Sequence, residues 1–334
     1  MIRRAWRLAI VLAIFAALAA PSWGSERIKI SVPIAATTFA PLYHAREAGH
    51  FTEVGLEVEI VVIPGPASLQ AVIAGDAVFA LIPGTYRLMA QERGQRVQAV
   101  MSVLTRNSIN IVMHREAAKQ KGITEGSPLA EKIRALKGLK LAASTPGSIS
   151  HQVFVYYLLK AGLEPQKDAD IVGLGSEPAR LAALEQRRID AFASASPAPE
   201  TAVSRGFGVM VVDNAAGEDP DFAEFMMDVL VTTSDTIKRQ PALIRKVVGA
   251  LMKSNAWLLD HPLEQGLPFM KSALGRHDDA AILLGLQKTR LGIPRDGRVT
   301  ERAVTLTQEF LRKVGALKTV IPYDQLVTHE FLPR

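Results

Sequence analysis

Side chains that could hold a ligand gather in five short segments, each directly after a predicted β-strand. Ligands of open α/β sheets bind beyond the carboxyl ends of strands, where loops lead into helices. Hydroxyls and the unpaired N–H groups at helix N-termini can hold an anion without a full counter-charge, although the same hydroxyls can simply cap helices. The candidate ligand-binding residues in these segments are Thr37, Thr38, Phe39, Gly65, Gly84, Thr85, Thr145, Gly147, Ser148, Ser194 and Ser196.

The segment Thr145-Pro146-Gly147-Ser148 is the strongest candidate for an anion site. A glycine beside a helix start lets backbone N–H groups approach a ligand closely. His151 follows one helical turn later. It could donate a hydrogen bond to a ligand oxygen, or it could have a structural role alone.

Asp228 and Phe39 each have two possible roles. Asp228 could accept a hydrogen bond from a ligand amine or hydroxyl, or it could pair with Arg106 where the chain crosses between domains. Phe39 could stack on a ligand or pack in the core. Burial and hydrogen-bond partners in a structure distinguish the two roles of each residue.

Familiar catalytic patterns are absent from the sequence. It contains no H-E-x-x-H, no G-x-S-x-G and no phosphate-binding loop that ends in Gly-Lys-Ser/Thr. Gly173-Leu174-Gly175 fails as a dinucleotide-binding motif because Pro178 occupies the position of the third glycine. The chain has no cysteine, and His44 and His50 have the wrong spacing for metal ligands on a helix. We therefore expect no catalytic residue, no metal and no cofactor.

The N-terminus has the pattern of a secretory signal peptide, predicted for residues 1–24. Three arginines precede an uninterrupted apolar run, Leu8–Ala20, and a small-residue cleavage site ends at Gly24. A retained membrane anchor is the alternative, but the run is short for a span of about 20 residues. The lack of cysteine excludes a lipid anchor at the cleavage site. We expect export to the periplasm with cleavage near Gly24.

The charge balance argues against a nucleic-acid partner. The formal net charge of the whole chain is +6, and part of it lies in the predicted signal peptide. Basic runs interleaved with aromatic residues are absent. We expect a monomer that binds a small, anionic molecule.

From Arg27 onward, short β-rich runs alternate with amphipathic helical stretches, which is the pattern of βα units. A first block of units is followed by a second, and then by one returning strand and an almost wholly helical end. This order predicts an α/β protein with two lobes. Residues 25–105 plus 226–334 are expected to form lobe I, and residues 106–225 lobe II. The two hinge crossovers are expected near Leu104–Asn107 and Asp213–Met227.

Several segments resemble the nitrate/sulfonate/taurine family of ABC-importer solute-binding proteins, which is also similar to proteins that bind thiamine precursors. Each match is weak alone, but the matches follow the family's order from Arg27 to His261. They are Phe39–Ala45, Gly49–Phe51, Gly55–Glu59, Gly65–Gly75, Leu136–Ala142, Gly147–His151, Ile189–Ala191 and Asp228-Val229.

The resemblance implies a two-lobed periplasmic binding protein of type II, with two hinge crossovers and the ligand between the lobes. It also implies a small organic anion or heteroaromatic metabolite as ligand, and delivery to an ABC permease in the inner membrane. Thr85 and Ser148 match positions where the family binds. Ala195 stands where sulfonate and taurine members often carry Trp, and Val78 where many members have Asp. The absence of Trp at Ala195 disfavours sulfonate and taurine as ligands and predicts room for a larger ligand.

Two alternatives to an importer component remain open. A ligand-sensing partner of a membrane receptor would use the same binding chemistry, and neighbouring permease or sensor-kinase genes would distinguish the two. A pyrimidine-synthase-like enzyme would share the fold, but those relatives are intracellular and use Cys-rich segments. The export signal and the absence of cysteine favour a non-enzymatic ligand carrier.

Overall fold

The computed structural model describes residues 25–333, and the predicted signal peptide lies outside these described residues. The strands are β1 (Glu26–Val32), β2 (Leu56–Val62), β3 (Phe79–Pro83), β4 (Val97–Leu104), β5 (Asn110–His114), β6 (Lys140–Ala143), β7 (Asp170–Gly173), β8 (Ala191–Ser194), β9 (Gly208–Val212) and β10 (Asp228–Thr233). The α-helices are α1 (Ala40–Glu47), α2 (Ala67–Ala74), α3 (Gly84–Glu92), α4 (Arg115–Lys121), α5 (Leu129–Arg134), α6 (Ile149–Lys160), α7 (Glu177–Glu185), α8 (Ala198–Ser204), α9 (Ser234–Arg239), α10 (Pro241–Asp260), α11 (Leu267–Leu274), α12 (Asp279–Arg290) and α13 (Glu301–Lys313).

The first sheet has five strands in the order β2-β1-β3-β10-β4. Strands β2, β1 and β3 run parallel, whereas the returning strand β10 is antiparallel to both β3 and β4. Asp228, the first residue of β10, therefore pairs with Pro83 at the end of β3. This reversal places Asp228 at the same edge of the sheet as the carboxyl ends of the parallel strands.

The second sheet repeats this plan, with the order β7-β6-β8-β5-β9. Strand β5 is antiparallel to β8 and β9, so Asn110 at its start pairs with Ser194 at the end of β8. In each sheet, the loops that follow the parallel strands and the start of one antiparallel strand thus lie at the same edge. The predicted α/β fold with two sheets is confirmed.

Two segments carry the chain between the sheets, one between β4 and β5 and one between β9 and β10. They are hydrogen-bonded to each other: Phe225 N donates to Thr105 O at 2.6 Å and Asn107 N to Phe222 O at 3.2 Å. The two crossovers lie where the sequence predicted them. Lobe I and lobe II denote the elements around the first and second sheets, and the residue boundaries given above stay a prediction.

The core of lobe I consists of the apolar faces of its sheet and helices, and α10 packs along α1. Two short helices, α4 and α9, directly follow β5 and β10. The segment between α10 and α12 is divided into a 3-10 turn, Leu263–Gly266, and α11. Pro268 near the start of α11 lacks the N–H that a continuous α-helix would need.

Within residues 25–333, no helix combines the length and the apolar character that crossing a membrane requires.

Candidate functional site

A small cavity lies between the lobes, at the edge where the carboxyl ends of both sheets meet. Its volume is about 30 Å³. Lobe I contributes Pro33, Ile34, Thr38, Phe39, Gly65, Pro83, Tyr86, Met227 and Asp228. Lobe II contributes Ile109, Ser144, Ser148, Ile149, Ser150, Arg180, Ala193, Ser194 and Ala195.

Arg180 brings a guanidinium group to the lobe II face of the cavity and was not among the residues predicted to bind a ligand. The residue is only 1% exposed. Its Nη1 donates to the carbonyl oxygens of Leu174 at 2.5 Å and Gly175 at 3.3 Å, and its Nη2 donates to Ser194 Oγ at 3.5 Å. Burial lowers the pKa of Arg180 to about 10. The group therefore stays charged at neutral pH.

The sequence around Arg180 did contain a signal for its role. Helix α7 begins after Ser176, whose hydroxyl accepts a hydrogen bond from Ala179 N. Positions 177, 180, 181 and 184 lie on one helix face and are buried. A charged side chain in such a buried stripe costs free energy unless a partner compensates it. An arginine at this position therefore indicates a partner, either in the protein or in a ligand.

Asp228 provides the opposite charge on the lobe I face of the cavity. It is fully buried, and neither carboxylate oxygen has a hydrogen-bond partner among residues 25–333. Burial raises the pKa of Asp228 to about 7, and the Thr38 hydroxyl, which lies nearby without forming a hydrogen bond of good geometry, partly offsets this effect. The predicted alternative of a bond to Arg106 is thus not formed. The carboxylate is free to accept a donor from a ligand.

Ser148 has both of the roles that the sequence allowed. Its hydroxyl caps α6 by accepting a hydrogen bond from His151 N at 3.3 Å, and it also accepts one from Thr145 N at 3.3 Å. The same oxygen lies 3.1 Å from Ser150 Oγ and lines the cavity. Ser194 and Ser144 add two further hydroxyls to this face. The lobe II face therefore combines hydroxyl groups with one cation.

The lobe I face is more apolar. Thr38 and Phe39 both line the cavity, and Phe39 also belongs to the core of the protein. Tyr86, which the sequence analysis did not select, lies beside them. Its hydroxyl accepts a hydrogen bond from Ile149 N of lobe II at 3.2 Å. Burial raises the pKa of Tyr86, so this hydroxyl stays protonated at neutral pH and keeps a proton to donate.

Thr37 and Ser196 were also predicted to bind ligand, but they lie together beside the cavity. Thr37 N donates to Ser196 O at 2.9 Å, and Thr37 Oγ1 approaches the same oxygen at 3.3 Å. Ser196 Oγ donates to Glu200 at 2.8 Å. These two residues connect lobe I to lobe II directly.

Gly65, Thr145 and Gly147 mark another contact between the lobes. A Cβ atom on Gly65 would collide with Thr145 Oγ1, so the glycine permits the two loops to approach closely. Thr145 and Gly147 line an open groove beside Met89 rather than the cavity. Gly147 has φ +77°, and a Cβ there would meet nothing within 4 Å. A larger side chain at Gly147 would therefore extend into open space rather than into the cavity.

His151, Gly84 and Thr85 lie outside the cavity lining. His151 faces a surface groove with Val155 and Lys313, on the outer side of α6. Gly84 N donates to Met227 O at 2.8 Å, and a Cβ on Gly84 would collide with Met226. Thr85 is buried, and its hydroxyl has no hydrogen-bond partner among residues 25–333. The structure therefore brings together Thr38, Phe39, Gly65, Ser148, Ser194 and Asp228, but not these three.

The predicted extra room beside Ala195 is not present. Ala195 does line the cavity, yet Ile34, Phe39 and Met227 line it as well, and the volume remains about 30 Å³.

The arrangement offers complementary groups for binding a ligand. Hydroxyls, a buried cation and an unpartnered carboxylate can hold complementary groups of a ligand. Within the described part of the chain, no three His, Asp or Glu side chains are grouped so that they could hold a metal ion.

Two curated proteins are similar to the chain over much of its length. "Putative binding protein YtlA" of Bacillus subtilis is 23% identical over 340 aligned residues, which cover 96% of this chain and 95% of that protein. "Nitrate/nitrite binding protein NrtA" of Synechocystis is 24% identical over 242 residues, or 67% of this chain and 52% of that protein. The chain thus spans about half of the second relative and nearly all of the first.

Solved structures share the fold at low sequence identity. A protein of Bordetella bronchiseptica RB50 superposes with a TM-score of 0.77 at 21% identity, over 91% of this chain and 95% of that one. The aliphatic sulphonate binding protein SsuA of Escherichia coli gives 0.65 at 18% identity, over 91% and 92%. The desulfurization enzyme DSZB gives 0.62 at 16% identity, over 92% and 97%. The fold is therefore that of type II periplasmic binding proteins.

The model of the NMT1-like family matches residues 25–265. This match includes both faces of the cavity and both crossovers. It agrees with the segments that resemble the nitrate- and sulfonate-binding proteins, and that prediction is confirmed. Because the match extends over more than half of the sequence, the chain belongs to the NMT1-like family.

Proposed function

We propose that this protein captures a small polar ligand between its lobes and delivers it to an ABC importer. One observation carries the proposal: a single cavity receives a buried cation, Arg180, from lobe II and a buried, unpartnered carboxylate, Asp228, from lobe I. Buried charges are costly unless they are paired. A ligand that compensates both groups stabilises the closed arrangement of the lobes.

Closure of the hinge follows from this division of contacts. The lobes are joined by two adjacent crossover segments, so they can move as units about that connection. A ligand shifts the balance towards the closed form only if it binds that form better than the open one. Contacts from both faces of the cavity supply such a difference, because the open form retains only one face. The closed form is then the form that the permease recognises.

The cavity also suggests what the ligand is like. An anionic group, such as a carboxylate or a sulfonate, suits Arg180 and the hydroxyls of Ser148 and Ser194. A donor group, such as an amine or a hydroxyl, suits Asp228. A volume of about 30 Å³ favours a small organic anion over a large one. A compact heteroaromatic ring with an exocyclic amine is the second ligand class, because Phe39 offers a face for stacking.

We further propose that the protein acts in the periplasm as a monomer, after removal of residues 1–24. The binding proteins SsuA and NrtA, which share its fold, are described as periplasmic. The lobe boundaries proposed above, with residues 106–225 as lobe II, follow the two crossovers. N-terminal sequencing of the exported protein should begin at or near Ser25.

An enzyme is the second candidate, since the desulfurization enzyme DSZB has the same fold. The chain contains no cysteine, and the cavity lining contains no histidine. Among the described residues, the cavity therefore lacks the nucleophile and base of a Cys–His pair. The geometry supports binding better than catalysis.

A thermal-shift screen of the mature protein tests the proposal. The panel should contain small sulfonates, carboxylates, nitrate and pyrimidines, with and without an amino group. A ligand at about 100 times its Kd should add about 2.7 kcal/mol to the free energy of unfolding. A hit that is lost in an Arg180→Met variant supports the proposal. Hits whose stabilisation is unchanged in that variant would place the binding site elsewhere.

A further inference from the structure

Outside the cavity, Lys288 of lobe I reaches across the lobe boundary. It lies in the last turn of α12, and its Nζ is 2.7 Å from Glu200 Oε1 and 2.7 Å from Asp213 Oδ2. Glu200 belongs to lobe II, and Asp213 directly follows β9 of lobe II, where the second crossover begins. The side chains of Lys288, Glu200 and Asp213 are 10%, 1% and 21% exposed. These three residues thus form a largely buried ionic contact between the lobes.

The acceptor half of this contact is held in place within lobe II. Glu200 Oε1 also accepts hydrogen bonds from Ser196 Oγ at 2.8 Å and Asn110 Nδ2 at 3.2 Å. Asp213 Oδ1 accepts one from Ala216 N at 3.0 Å. None of these partners belongs to lobe I, so separation of the lobes leaves the acceptor site intact. The two carboxylates then face each other without the lysine, and their repulsion favours its return.

Close packing of α12 brings Lys288 to this site. A Cβ on Gly285, one turn before Lys288, would lie 2.8 Å from Ser196 Cβ and 2.9 Å from Thr37 Oγ1. Such distances are too short for a real methyl group, so only glycine allows the helix to lie this near lobe II. Within lobe I, the Thr289 hydroxyl donates to Gly285 O at 2.8 Å and lies 3.2 Å from Thr37 Oγ1. The contact between α12 and lobe II is therefore complementary in shape as well as in charge.

We propose that Lys288, Glu200 and Asp213 form an interlobe latch that stabilises the closed form whether or not ligand is present. In the described part of the chain, the three residues do not line the cavity. They cannot select among ligands, but they set the fraction of protein that is already closed. Since apparent affinity scales with that fraction, the latch should strengthen the binding of every ligand by the same factor. The inference concerns the lobes themselves and does not require that the proposed ligand class be correct.

The test measures the distance between the lobes without ligand. The chain has no cysteine, so two introduced cysteines can carry spin labels at defined positions. Gln120 of lobe II and Ala242 of lobe I are exposed helical positions that suit them. Pulsed electron paramagnetic resonance then reports the distance distribution, and solution scattering of the unlabelled protein reports the radius of gyration.

A matched pair of variants separates the latch from a general loss of charge. Lys288→Met removes the latch, whereas Lys253→Met removes an ion pair of the same length, 2.7 Å to Glu53, that lies within lobe I and is exposed. We expect Lys288→Met to reduce the closed population about tenfold or more, with longer label distances and a larger radius of gyration. Lys253→Met should match the parent protein.

A second, milder variant keeps the test valid if Lys288→Met misfolds. Asp213→Asn keeps the shape of the site and weakens only one of the two pairs, so it should open the protein partially. Unchanged distances in both Lys288→Met and Asp213→Asn, with normal melting, would overturn the proposal. Failure to find any ligand in the screen would leave this result unaffected.

Discussion

The two faces of the cavity differ in a way that indicates how a ligand is oriented. The lobe II face presents a guanidinium group and hydroxyls, and its Arg180 already has carbonyl partners in the protein. The lobe I face presents one carboxylate, Asp228, without any partner among residues 25–333. The charged group of the lobe II face therefore already has partners in the protein, whereas the carboxylate of the lobe I face does not. Lobe II can therefore hold an anionic group first, and Asp228 gains the ligand's donor group as a partner only when the lobes close.

Loss of the cation should produce the largest effect. Arg180→Met removes the charge that faces the anionic group, and we expect affinity to fall about a hundredfold or more, because truncation leaves the ligand charge buried and unpaired. Isothermal titration with the best hit of the screen measures this change. The control Arg188→Met, at an exposed position just beyond α7, should bind like the parent protein. Equal affinities for both variants would contradict the assignment of Arg180.

Loss of the carboxylate should produce a smaller and selective effect. Asp228→Asn should weaken a ligand that carries an amine about tenfold or more, and a matched ligand without the amine far less. An aminoalkane sulfonate and the corresponding alkane sulfonate form a suitable pair for titration. If both ligands lost the same factor, Asp228 would not contact the donor group.

The pH dependence of ligand affinity is a further test of the role of Asp228. The pKa of Asp228 is raised to about 7 in the closed form, and an ammonium group pairs only with the ionised carboxylate. Protonation therefore competes with the ligand, and affinity for the aminosulfonate should fall as the pH drops from about 7 to about 5. The Asp228→Asn variant should lack this dependence. Tighter binding at low pH would mean instead that a protonated Asp228 donates to an anion.

Ser148 should show the smallest effect, divided between stability and affinity. Ser148→Ala removes a helix cap, at a cost of about 1 kcal/mol in the free energy of unfolding, and also removes a hydroxyl from the cavity. We expect a loss of affinity of about tenfold. Gly147→Ala is the control, because its positive φ of +77° should give a similar loss of stability, about 1 kcal/mol, without loss of affinity. If the two variants bound equally well, Ser148 would act only as a cap.

The features that follow from local patterns could be predicted from the sequence. Hydroxyl loops after strands, and Asp228 at the start of a returning strand, are encoded in short segments whose position in an α/β sheet follows from strand order. Ser148 was found because a Gly-Ser pair before an amphipathic helix indicates a helix start.

The remaining features depend on contacts between the lobes. Arg180 lies on a helix whose buried face is visible in the sequence, but its place in the cavity depends on the opposite lobe. Thr37 and Ser196 are separated by many βα units, and nothing local shows that they meet. For His151 the sequence left a ligand contact and a structural role open, and the turn of α6 directs it to the outer groove beside Lys313.

The decisive experiment is a crystal structure of the mature protein with the strongest ligand of the screen. We expect closed lobes, an anionic group within hydrogen-bond distance of Arg180 and Ser148, and a donor group within hydrogen-bond distance of Asp228. A ligand bound in an outer groove, such as the one lined by His151 and Lys313, with neither Arg180 nor Asp228 in contact with it, would rule out the proposed site.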